Sequence, residues 1–378
     1  MRAIAVLAAA CLLLFSGCQE SSPAPSEAPE TSAQPETSPA TSAPATAPPT
    51  EASTQPPTEA SPVPAGDFGQ ADPCSYINDS NIVLIGEDGY YYACETGWYD
   101  GPFSVWYRDD RAGSVTELDI PAGITESEQL DYSVIGLADG ALWIDHSSYG
   151  TGGGALGICT YRDGDLDQLP EPLSSAERLW LGEEGVWSVK GQTLSFSGFS
   201  GEDPRELCEL DTWAEDMDTF GVYEGKAVWS DYSLELSGYE TFAADLTTGG
   251  SAPIGRGKVL FFAGDWCYLA ESDGLCRVHL DGSGRELLAA GGIADACLFE
   301  GKVYYITYDD LALYCLDEKG ETATVLTAEE LPECNGINRV STSGGRLFAE
   351  GYSGAFWYVI AELRPDGSWE IVHQGEER

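Results

Sequence analysis

Basic residues are scarce: 18 Lys plus Arg stand against 63 Asp plus Glu, for a formal net charge of −45 over 378 residues. With no basic cluster anywhere, such a chain is repelled by nucleic-acid phosphates and by anionic lipid surfaces. Histidine is nearly absent too. His146, His279 and His373 fall in separate stretches, so no zinc-protease helix can be built from neighbouring positions. No Gly-x-Ser-x-Gly elbow occurs, and the Gly-rich 150–154 lacks the lysine that follows in a phosphate loop. The apolar run Ala3 to Phe15 has 13 residues, too few to span a bilayer. What is plentiful is core-forming material, at 43% hydrophobic residues, so the acidity belongs to the surface of a folded protein.

Arg2 and the apolar run after it read as an export signal, residues 1–17. It ends in Leu14-Phe15-Ser16-Gly17-Cys18, similar to a bacterial lipobox, in which small residues precede a cysteine that is diacylated and becomes the new N-terminus. Two or more acyl chains on Cys18 give the stable anchoring that one chain does not. Residues 19–66 hold 12 of the 21 prolines and no aromatic residue, Lys or Arg. Such a segment has little to bury and cannot offset its ordering entropy, so 18–66 is expected to be a lipidated, disordered linker. The reading is a stalk that lifts a domain, 67–378, off the outer face of a cell membrane.

That domain repeats. An acidic or small residue and a glycine precede an aromatic in an alternating apolar run at Gly89, Gly140, Gly185, Gly225, Gly264, Gly301 and Gly345. The spacings are 51, 45, 40, 39, 37 and 44 residues. Within a copy the pattern is four short strands: 258–262, 266–270, 275–280 and 285–288 in the fifth, separated by Gly-containing turns. Four strands per repeat, seven times over, describe an all-β, seven-bladed β-propeller, with six or eight blades as the alternatives.

Two strands carry a resemblance. Ala141-Leu142-Trp143-Ile144-Asp145 and Ala227-Val228-Trp229-Ser230-Asp231 look like the Tyr-Trp-Thr-Asp strand of low-density lipoprotein receptor propellers. The hairpin 275–288, with Leu280-Asp281-Gly282-Ser283, is closer still to that family. The chain is therefore similar to bacterial lipoprotein propellers that share those repeats. The resemblance implies extracellular binding of a protein or other ligand, and transfers no catalytic activity.

Candidates for chemistry are few. No cofactor motif is legible. Asp163-Gly164-Asp165-Leu166-Asp167 alternates carboxylates but lacks the twelve-residue calcium loop and its distant Glu, so it reads as a turn, and no metal ligand is assigned. Nine cysteines remain after Cys11 and Cys18. Cys267 and Cys276 flank one hairpin and form the best local disulfide candidate, with reduced, packed thiols as the alternative.

The connection between the second and third strands of every blade opens on one face. It is long in the first, second and fourth repeats, moderate in the seventh, and short in the third, fifth and sixth. The neighbouring loops of repeats seven, one and two carry Trp98, Tyr99, Tyr149 and Tyr352, with Asp100 and Asp145 nearby. Aromatics beside carboxylates suit stacking on sugars or gripping a peptide. The expected function is a membrane-anchored binding module for a surface protein, peptide or glycan. The alternatives are a glycan lyase or hydrolase with paired carboxylates in the channel, and a scaffold of an envelope complex. Trp98→Ala is expected to abolish ligand binding without changing the melting temperature; unchanged binding in a pull-down overturns this assignment.

Overall fold

The computed structural model describes residues 82–95, 103–118, 130–148, 157–162, 164–352 and 358–374. The export segment, Cys18 and the linker lie outside these residues. Seven four-stranded antiparallel sheets follow one another along the chain, at 84–117, 130–168, 178–209, 217–255, 258–290, 293–326 and 336–374. In each sheet the strands lie side by side in sequence order, so every blade is a simple meander. The blade count is seven. In blade 5 the strands are Lys258–Ala263, Trp266–Glu271, Gly274–His279 and Glu286–Ala290. The pattern of glycines and apolar residues had placed them within two residues.

The first hairpins of blades 2, 4, 6 and 7 show why glycine recurs there. Asp139-Gly140, Glu224-Gly225, Glu300-Gly301 and Gly344-Gly345 all hold two successive positive φ values, between 47° and 73°. A two-residue turn of this hand matches the twist of the strands it joins, and glycine adopts it without steric cost. The turn between the third and fourth strands is held differently. Asp109, Asp245, Asp281, Asp317 and Asp366 each accept backbone N–H groups from two to four residues ahead, at 2.7–3.1 Å. Much of the acidity is thus turn chemistry. These bonds hold the Asp109, Asp245, Asp281 and Asp366 carboxyls below their ordinary range: for Asp109 through the Ala112 N–H, for the others first through the hydroxyls of Thr247, Ser283 and Ser368.

Burial grades outward across each blade. The first three strands of blade 5 are almost wholly buried, whereas the fourth alternates between half-buried and exposed. Central strands face a neighbouring blade on both sides, which is why they read as continuous apolar runs and not as strict alternation. Tyr223 stacks on Phe262 across the seam between blades 4 and 5. A chain of buried hydroxyls crosses the same seam: Val259 N–H donates to Ser230 Oγ at 2.9 Å, Ser230 Oγ meets Thr241 Oγ1 at 3.0 Å, and Thr241 Oγ1 donates to the Gly257 carbonyl at 2.6 Å.

Among the described residues no strand is shared between the first and last blades, and side chains join them. Tyr90 packs on Phe348 with centroids 5.8 Å apart, among Ile82, Tyr92, Ile360 and Val372. Arg346 lies over both rings and pairs with Asp110 of blade 1 (2.8 Å) and Glu362 of blade 7 (2.5 Å). Arg108 Nη1 donates to the Val372 carbonyl at 2.9 Å, and Ile85 N–H donates to Ser343 Oγ at 3.0 Å. His373 Nδ1 lies 3.0 Å from the Tyr92 hydroxyl.

Burial depresses the His373 pKa from 6.5 to about 4. The unfolded chain therefore binds a proton between those values that the ring excludes. Its contribution is complete above about pH 6.5 and falls as the pH drops towards 4, by about 2 kcal/mol at pH 5. Urea unfolding at pH 8 and pH 5 should show this loss, and His373→Gln should remove that part of the slope. An unchanged slope in the variant overturns the assignment.

Candidate functional site

Second-to-third-strand loops and the connections between blades meet on one face of the ring. Gly257, between blades 4 and 5, donates to the Tyr239 carbonyl just after the blade 4 loop. Tyr308 of the blade 6 loop donates to the Gly292 carbonyl between blades 5 and 6, and Ile337 donates to the Leu311 carbonyl. On this face a cleft of about 730 Å³ opens across blades 4 to 7. Pockets of this size suit a small molecule or a short segment of polymer.

Bulges shape its floor. The inner strand of each of blades 4 to 7 shifts register by one residue, leaving Asp218, Leu260, Ala294 and Asn338 outside the ladder. A bulge re-aims the side chain that it leaves unpaired. Leu260, Ala294 and Asn338 all line the cleft. Its wall on one side is the blade 4 hairpin, in which Tyr232 and Tyr239 stand as a directly opposed edge-to-face pair with centroids 5.2 Å apart. Tyr232 (46%), Leu236 (43%) and Tyr308 (66%) are unusually exposed for apolar or aromatic residues, and all three line the cleft.

The remaining lining is charged. Asp295 stands on the inner strand of blade 6, where its Oδ2 accepts Val340 N–H from blade 7 and its Oδ1 accepts Ala296 N–H, both at 2.9 Å. Burial raises its pKa to about 6, although those bonds and the nearby Arg339 and Lys258 act the other way. Behind it, Glu350 takes a hydrogen bond from Asn338 Nδ2 at 3.2 Å and lies 3.8 Å from Arg339, with burial raising its pKa. Both carboxylates are thus tied to neighbouring strands. Arg256, Lys258 and Arg339 line the cleft, together with Glu271, whose carboxylate Arg285 holds at 2.8 Å.

Of the residues singled out in the sequence, Trp98, Tyr99, Asp100 and Tyr149 lie outside the described residues. Asp145 is on a strand, Ala141–Ser148, opposite Ser133 and Ile158. Tyr352 ends the strand Arg346–Tyr352, half-buried and opposite Tyr358. Loop lengths also need correction: the strands of blade 4 run to Ser233 and resume at Gly238, whereas the blade 6 connection spans 308–312 and is not short.

The expected Cys267–Cys276 disulfide is not formed, and both are free, buried thiols. Register is the reason. Cys267 stands opposite Val278 and Cys276 opposite Leu269, so the cysteines are diagonal neighbours, farther apart than directly opposed residues. Burial pushes the Cys276 thiol up to about 12. Glu271, Asp273 and Cys276 are close enough together to hold a metal, but the Arg285 guanidinium already donates to all three, at 2.8–3.2 Å.

The cleft was missed because its parts come from four repeats. The Arg256-Gly257-Lys258 triplet, a basic pair in an acidic chain at a blade connection, was the available signal. A carboxyl carbon-13 titration should find one Asp with a midpoint near pH 6, absent in Asp295→Asn and higher in Arg339→Gln, which removes a nearby cation. A midpoint near 4 overturns that account of the site.

No protein-family model and no curated protein matches the sequence. Solved structures match the fold. A puromycin-hydrolyzing peptidase of Mycobacterium tuberculosis superposes with a TM-score of 0.57 at 16% identity, over 83% of this chain and 55% of that one. A prolyl endopeptidase superposes with 0.53 at 10% identity, over 79% and 50%. A chain of a nidogen/laminin complex is also similar, at 12% identity over 76% and 93%, but its TM-score of 0.36 carries no weight. This chain spans about half the length of the two peptidases. At such identities the likeness shows the β-propeller fold and nothing more specific.

Proposed function

We propose that the chain is an extracytoplasmic binding module, held at the cell membrane by lipid on Cys18, whose upper cleft across blades 4 to 7 grips a surface protein, peptide or glycan. The observation that carries this reading is the exposure of Tyr232, Leu236 and Tyr308 around one concave site. Leaving aromatic and aliphatic surface in water costs about 25 cal/mol per Å², which a ligand recovers on docking. The loops of blades seven, one and two, with Trp98, Tyr99, Asp100, Asp145, Tyr149 and Tyr352, are proposed as a further contact area on that face.

A lyase or hydrolase reading would draw on Asp295 and Glu350. Their hydrogen bonds to Val340, Ala296 and Asn338 support a structural role, which favours binding. Cross-linking pull-down from intact cells, with a glycan array beside it, tests the module. Tyr308→Ala combined with Tyr232→Ala should lower ligand retention at least tenfold, about 1.4 kcal/mol, with the melting temperature unchanged. Retention equal to that of the unaltered chain overturns the cleft as the site.

A further inference from the structure

The charges around the cleft run against those of the chain. Residues 67–378 contain 57 acidic and 17 basic side chains, yet Arg256, Lys258 and Arg339 converge on this one concave site. Arg256 is exposed, while Lys258 and Arg339 are half-buried. Two carboxylates share the lining, and both are already engaged. Glu271 is held by Arg285, and Asp295 accepts two backbone N–H groups. Arg339 lies 3.8 Å from Glu350. Among the described residues no carboxylate is within ion-pairing distance of Arg256 or Lys258, in a protein where acidic groups outnumber basic ones more than threefold.

The backbone explains why these cations stay unpaired. Arg256 and Lys258 flank Gly257, whose N–H and carbonyl are bound to Tyr239 and Thr241 of blade 4. A Cβ on Gly257 would lie 2.6 Å from the Ala270 carbonyl oxygen, and its φ is +151°. The connection is therefore clamped between two blades, and its flanking side chains cannot swing far towards the acidic turns of the opposite face. Asn338 Oδ1 adds a buried acceptor that has no hydrogen-bond partner in the protein, so the site also offers an acceptor to a donor on the ligand.

We infer that the cleft selects an acidic peptide: carboxylates meet Arg256 and Lys258, with Arg339 behind them, and the apolar part packs on Tyr232, Leu236 and Tyr308. This rests on the cleft being the binding site. A peptide is favoured over a polysaccharide because the exposed Leu236 extends the tyrosine surface with aliphatic surface, which suits aliphatic or aromatic side chains. Amide N–H groups along such a segment suit the acceptor at Asn338.

The test uses the full chain and paired hexapeptide libraries, each member carrying either two glutamates or glutamines in their place, around fixed aromatic and aliphatic positions. Acidic members should bind about tenfold more tightly than their amide counterparts, a difference of about 1.4 kcal/mol. Arg256→Gln with Lys258→Gln should bring acidic members down to the amide level without changing the melting temperature, and Tyr308→Ala should weaken both libraries. If Tyr308→Ala weakens binding while the double charge variant does not, the cleft stands and the preference for acid falls. If neither variant changes binding, the cleft itself is overturned as the site. Equal binding of the two libraries, or retention of an acidic oligosaccharide such as oligogalacturonate in place of peptides, overturns the inference.

Discussion

Closure of the ring is the constraint on which everything else depends. Each blade buries its central strands between two neighbours, so the first and last blades would leave large apolar faces in water if they failed to meet. Among the described residues no shared strand joins them, and side chains form the seam. Tyr90 and Phe348 supply its core, and Arg346 bridges the blades by pairing with Asp110 and Glu362 while covering both rings. A cation over aromatic faces, with its remaining donors on carboxylates, is stable only where packing orders all of the partners together. The half-buried His373 completes the seam and ties its stability to pH.

The same closed geometry sorts the charge. Turns on one face are built around aspartates that accept their own backbone N–H groups, so negative charge accumulates there for local structural reasons. The other face is assembled from strand bulges and blade connections, where Gly257 and Gly292 allow close approach and where three cations and four exposed or half-buried aromatic and aliphatic side chains gather. A chain that is strongly acidic by count thus presents one concave site of the opposite character. Hydroxyl and carboxylate bonds across the seams between blades 4 and 5 and blades 6 and 7 hold that site in shape.

Blade architecture was legible because its signals are local. The pairs Asp139-Gly140, Glu224-Gly225 and Glu300-Gly301 mark hairpins through backbone sterics alone. The cleft was not legible, because Tyr232, Lys258, Asp295 and Arg339 are separated by 26, 37 and 44 residues and share no motif. The cysteine pair shows the limit from the other side. Proximity along one hairpin suggested a disulfide, but strand register, set by packing of the buried face, put Cys267 and Cys276 on a diagonal.

Sequence by itself therefore determined the repeat, the strand and turn chemistry and the acidic surface, since each follows from residues within a few positions of one another. Tertiary structure alone decided which cations escape pairing, which carboxylate is buried, and where aromatic surface stays exposed. Those properties depend on distances between blades, and only a closed ring fixes them.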